Sequence, residues 1–119
     1  MSAGLVQRLS PNLTGTQRRE LRAMAHDLKP IVTIGFSGVN DGVCQALDIA
    51  LYDHELVKVK VLNSYDGSLD EIADELCKAT GCALAQKIGR ILLCYRQNPD
   101  NPVIVLKAKG NKAAPEEEE

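Results

Sequence analysis

The segment Ile34-Gly35-Phe36-Ser37-Gly38-Val39-Asn40-Asp41-Gly42 is where residue types and spacing come nearest to chemistry. Gly35 and Gly38 bracket a sharp turn, and Asn40 is a natural cap for a helix that follows. Glycines let a backbone approach an anion closely, and the unpaired N–H groups and dipole of a helix N-terminus favour negative charge. The chemistry on offer is phosphate binding by amides. The same spacing also makes an ordinary turn, so the loop reads as a site only if cations stand near it.

Cations are present in separate parts of the chain. Lys29 precedes a short β-branched run, Lys58 and Lys60 alternate with Val57, Val59 and Val61, and Lys87, Arg90 and Arg96 surround a hairpin signal. Arg18, Arg19 and Arg22 share one helix. Singly, each is a solvated surface charge. If the strands carrying them are neighbours, the lysines line one surface leading to Gly35 and would add side-chain contacts to phosphate.

Other reactive residue types do not assemble into a catalytic pattern. His26 and His54 each stand beside an acid, Asp27 and Glu55, but adjacent side chains usually point apart. No Ser or Cys nucleophile motif accompanies either histidine, so both are expected to be structural and the chain non-enzymatic. Asp70, Glu71, Asp74 and Glu75 lack the loop spacing for calcium and read as a solvated helix face. Cys44, Cys77, Cys82 and Cys94 form no CxxC pair, and no signal peptide or long apolar run precedes them. Buried free thiols in a reducing cytosol are expected, with no metal, cofactor, small-molecule substrate or membrane.

The elements that must position these residues follow from the spacing of apolar side chains. Thr14 and Gln17 have capping-box spacing, and Leu21, Met24, Ala25 and Leu28 recur at helical intervals, which predicts a helix over roughly Gly15 to Ala25. Pro30 turns the chain toward an extended Ile31 to Ile34. A second helix covers roughly Asp41 to Tyr52, and Leu56 to Val61 is a strand with one apolar face. Ser68 to Thr80 predicts a third helix closed by Gly81, followed by a hairpin of Cys82 to Ile88 and Ile91 to Tyr95 around Gly89-Arg90. Val103 to Leu106 is a candidate edge strand. The order α-β-α-β-α-β-β implies an α/β fold of the α+β type, a single domain with helices packed on a mixed four-stranded sheet.

Composition agrees with one soluble domain: 119 residues, 45% hydrophobic and 25% charged. Residues 1–12 read as a flexible lead-in, 13–106 as the domain and 107–119 as a flexible acidic tail. The formal charge is −2, but Glu116 to Glu119 contribute four of the acids; without them 14 basic residues face 12 acidic ones, a balance of +2. Such a mildly basic body excludes avid nonspecific binding driven by total charge. One Phe, three Tyr and no Trp disfavour a platform of stacked bases.

Taken together, these residues resemble the YhbY-like CRM domain, the RNA-binding module of chloroplast RNA splicing and ribosome maturation proteins, over roughly Leu13 to Leu106. The landmarks are L-K-P-I-V-T-I-G at Leu28 to Gly35, the G-F-S-G loop, H-E-L-V-K-V-K at His54 to Lys60, and I-G-R-I-L-L-C-Y-R at Ile88 to Arg96. The resemblance implies a fold similar to the C-terminal domain of bacterial translation initiation factor three, and it implies RNA as partner. Standalone members look like assembly factors of the large ribosomal subunit precursor, while plant organellar relatives assist intron splicing. With one domain and no transit peptide, the bacterial role on ribosomal RNA in the cytoplasm is the expected one.

The family's G-x-x-G loop falls on Gly35 to Gly38 and its basic surface on Lys29, Lys58, Lys60, Arg90 and Arg96. Members often carry a basic or strongly polar residue inside the loop, where Phe36 and Ser37 stand here. Phe36 either stacks on a base or anchors the turn in the core, and the anchor is the expected use. The alternative function is a protein-interaction module, docking on a basic ribosomal protein or other partner through the acidic third helix or the tail.

Overall fold

The structure is a computed structural model that describes residues 13–106; the expected lead-in (1–12) and acidic tail (107–119) lie outside the described residues. Helix α1 spans Gly15–Ala25 and opens on a complete capping box: Thr14 Oγ1 accepts the Gln17 amide at 3.1 Å, and Gln17 Oε1 accepts the Thr14 amide at 3.0 Å. After Pro30 comes strand β1, Val32–Ile34, then helix α2, Asp41–His54, capped by Asn40. Strand β2 is Leu56–Val61, helix α3 is Leu69–Thr80, and the hairpin pairs β3, Ala83–Ile88, with β4, Ile91–Tyr95. Ser68 caps α3 and Gly81 ends it in the left-handed conformation that glycine adopts without strain, φ 77.

The four strands form one mixed sheet in the order β1-β2-β4-β3. β1 runs parallel to β2, with Thr33 opposite Lys60, and the other neighbours are antiparallel. Because side chains alternate along a strand, β2 feeds two cores. Val57, Val59 and Val61 join Leu47 and Leu51 of α2 and Ile72 and Leu76 of α3 on one face. Leu56 joins Leu21 and Ala25 of α1 with Leu93 and Tyr95 on the other. Lys58 and Lys60 therefore share the α1 side of the sheet. No helix among the described residues is long and apolar enough to cross a membrane.

Two sequence expectations need correction. α2 continues two residues past Tyr52, because its last turn is marked by polar Asp53 and His54 rather than by apolar spacing; it stops at Glu55, whose φ is 65. Val103 to Leu106 is not an edge strand. The amides of Val103 and Ile104 donate to the Glu55 carboxylate, at 3.0 and 2.6 Å, in place of a strand partner. Ile104 and Leu106 pack against the α1 core instead.

Candidate nucleic-acid interface

Gly35 to Gly38 forms a turn closed by the Gly38 amide donating to the Gly35 carbonyl at 2.9 Å. Gly38 has φ 69, and a Cβ there would lie 3.1 Å from the Tyr65 ring, so both conformation and space call for glycine. Phe36 stands at the tip with 86% of its surface exposed, and Ser37 beside it is exposed as well. The ring does not anchor the turn; Tyr65 lies under the loop and fills the place that the sequence suggested for Phe36. The following helix meets its own first-turn amides: Asn40 Oδ1 accepts the Val43 amide at 2.9 Å, and Asp41 sets a carboxylate at the positive end of the dipole. Both weaken this helix start as an anion site.

A second loop, after β2, was not legible as part of the site. The Leu62 amide donates to the Ile34 carbonyl at 2.8 Å, which holds this loop beside Gly35. Arg90, at the hairpin tip, donates to the carbonyls of Val61, Leu62 and Tyr65 at 3.0, 2.9 and 2.9 Å. A Cβ on Gly67 would collide with the Tyr65 hydroxyl oxygen, so Gly67 closes over that ring. The run Asn63-Ser64 followed by Asp66-Gly67 was the available signal for a tight connection.

The cations divide by what they touch. Lys60 is exposed on β2, in register with Thr33 and so next to the strand end that leads into the Gly35 loop. Lys29 is exposed at the opposite end of β1, and Arg18 and Arg22 are exposed one turn apart on α1. The side chains of these four make no hydrogen bond or ion pair to any described residue. Arg19 donates to Thr16 Oγ1 at 3.3 Å. Lys58, Lys87 and Arg96 instead bond within the protein. Lys58 Nζ donates to the Leu28 carbonyl at 2.8 Å, and Lys87 pairs with Asp70 at 2.7 Å. Arg96, largely buried, joins Asp48 of α2 at 2.6 Å to the Thr80 carbonyl at 2.7 Å, tying α2 to the end of α3. The loop, Lys60 and Arg90 are thus brought to one end of the sheet, whereas Lys29 and Lys58 lie at the other and Lys87 and Arg96 lie on the α2–α3 side.

At that other end Glu55 is almost fully buried, and its carboxylate accepts the amides of Asn98, Val103 and Ile104. His54 borders an apolar cavity of about 390 Å³ lined also by Met24, Leu28, Ile31 and Leu56. His26 is exposed just after α1. All four cysteines are free of disulfides, with Cys77 and Cys82 Sγ atoms 3.5 Å apart; the hydrogen bond with the neighbouring Cys82 sulfur, and then burial, push the Cys94 thiol well above its ordinary range. Among the described residues no group of three or more His, Cys, Asp or Glu side chains is arranged to hold a metal ion.

This arrangement, with an uncharged glycine turn, one exposed ring and a few unpaired cations, suits an extended anionic polymer better than a small enclosed ligand. Comparison with known proteins agrees. The chain is 38% identical over 94 residues to Probable RNA-binding protein YqeI of Bacillus subtilis, covering 79% of this chain and 98% of that one. It is 38% identical over 87 residues to Probable RNA-binding protein PA4753 of Pseudomonas aeruginosa, covering 73% and 84%. The solution structure of the hypothetical protein SAV1595 from Staphylococcus aureus superposes with a TM-score of 0.69 at 38% identity, over 81% of this chain and all of that one. The profile of the CRS1 / YhbY (CRM) domain matches residues 13–96, so the loop, β2 and the hairpin described above all fall within it, and this chain belongs to the CRM domain family.

Proposed function

We propose that this chain is a non-catalytic RNA-binding protein that acts in ribosome assembly in the cytoplasm, contacting ribosomal RNA of the large-subunit precursor through the Gly35 to Gly38 loop and adjacent cations. The family match over residues 13–96, shared with relatives named as RNA-binding, carries the reading. Geometry supports it through Lys60, whose ammonium has no partner among the described residues and stands beside the strand end that feeds the loop. Phosphate contacts from such exposed cations position a protein on structured RNA without reading its sequence. Two acids of α3 are partly neutralised within the fold, Asp70 by Lys87 and Asp74 by Lys78, so no specific observation favours docking a basic protein there.

Sedimentation of the tagged protein through a ribosome gradient tests the proposal. Comigration with free large-subunit precursors is expected; protein found only at the top of the gradient would reject the assembly role.

A further inference from the structure

We propose that Phe36 is a base-stacking residue, which takes the face of one unpaired nucleobase and so directs the protein to bulged or looped RNA rather than to uninterrupted duplex. The inference rests on the RNA-binding reading above and goes beyond it, because a phosphate contact does not distinguish a paired from an unpaired nucleotide.

The chain has one Phe, three Tyr and no Trp, and each tyrosine is engaged. Tyr95 is buried in the α1 core, Tyr65 lies under Gly38 and Gly67, and the Tyr52 hydroxyl donates to Asp100 at 2.7 Å. Tyr52 is 46% exposed but tethered through that hydroxyl, and Phe36, 86% exposed, is the most open ring of the four. A single exposed apolar side chain is common on protein surfaces and by itself carries nothing. Its support is what sets Phe36 apart. The turn beneath it is closed by its own hydrogen bond, seated on Tyr65, and braced through Arg90, which fastens three carbonyls of the neighbouring loop. A ring presented by a braced turn loses little freedom when a base settles on it.

Charge around the loop points the same way. Phe36 and Ser37 bring no cation, and Asp41 places a carboxylate at the start of α2. A phosphate entering the turn meets that negative charge, whereas the uncharged face of a base does not. Lys60, in register with Thr33 three residues before Phe36, is placed to take a phosphate flanking the stacked nucleotide. Every base has a π face, so the contact tolerates any sequence; within a continuous duplex both faces are covered by neighbouring base pairs. One ring accepts one nucleotide, which accords with a chain too poor in aromatics for a platform.

The test uses the full chain and two synthetic RNA hairpins, identical except that one carries a single bulged adenosine. Wild type is expected to prefer the bulged hairpin by on the order of tenfold, the scale of one base–aromatic stack. Phe36→Leu keeps the exposed apolar bulk without the ring and should bind both hairpins with the affinity that wild type has for the paired one, its salt dependence intact. Phe36→Trp should keep the preference, and its indole, the chain's only one, should be quenched by the bulged hairpin alone. Equal affinities of wild type and Phe36→Leu for the bulged hairpin, with a salt dependence that Lys60→Ala reduces, would overturn the stacking role and leave RNA binding standing. Absence of salt-dependent binding by wild type to either hairpin would overturn both.

Discussion

At one end of the sheet Glu55, at φ 65, turns a buried carboxylate toward three amides of the segment 98–104; at the other, Gly38, at φ 69, closes a turn that holds Phe36 in solvent. Both ends use a left-handed residue and a hydrogen-bonded loop. The Glu55 carboxylate is closed on the fold, since it accepts three internal amides. The loop end is braced from behind by Arg90 and Tyr65 yet leaves Phe36 and Lys60 unpartnered in front. Fastening and presenting are therefore separable by mutation: changes at the first should cost stability, and changes at the front of the second should cost RNA affinity.

The largest effect should come from Glu55→Ala. Removing the carboxylate strands three amides beneath a chain segment, and a loss of about 3–5 kcal/mol is expected from buried donors left unpaired. Urea unfolding measures it, and a change below about 1 kcal/mol would erase the distinction between the ends. Arg90→Met comes next, with about 2 kcal/mol lost because a charged donor leaves three carbonyls. Its RNA affinity should fall through the unbraced loop, while the slope of log affinity against log salt stays as in wild type, since the guanidinium is turned to its own backbone. A reduced slope would place Arg90 among the RNA-contacting cations.

Lys60→Ala should leave unfolding unchanged and weaken RNA binding several-fold at moderate salt, because an exposed cation contributes little to the fold. The smallest effect lies on the fastening side at high pH. Burial, followed by the charge of Glu55, raises the Tyr95 phenol above its ordinary 10.0, so the folded state holds that proton longer than the unfolded chain. The associated stability is complete below pH 10.0 and is lost as pH rises through the raised value. Urea midpoints should fall in that alkaline range for wild type and less for Tyr95→Phe.

Much of this arrangement was legible in the sequence. Apolar spacing located the three helices, the capping pair Thr14 and Gln17 marked where α1 begins, and the Val57, Val59, Val61 alternation assigned β2 its faces. These are local signals, written within a few residues of one another. What escaped depends on contacts between distant positions. Nothing near Val103 reveals that its amide is met by Glu55, 48 residues earlier, and so the segment read as a strand. Phe36 read as an anchor because phenylalanine usually is one, and only the position of Tyr65 under Gly38 shows that the place is already filled. Charge was the least legible property of the site. Arg90 and Arg96 stand beside the hairpin as their positions in the chain imply, but whether a guanidinium faces solvent or a carbonyl is decided by the strand order β1-β2-β4-β3, which spacing alone does not supply.

On the proposed reading, RNA is held by cations that have no partner among the described residues, Lys60 foremost. Affinity for a large-subunit ribosomal RNA fragment, measured across a salt series for wild type, Lys60→Ala and Lys87→Ala, tests it most directly. Lys60→Ala should reduce the slope by about 0.7–0.9, one phosphate contact, and Lys87→Ala, whose ammonium pairs with Asp70, should leave it unchanged. A flat salt dependence in wild type, or a slope that responds to Lys87 and not to Lys60, would contradict the claim.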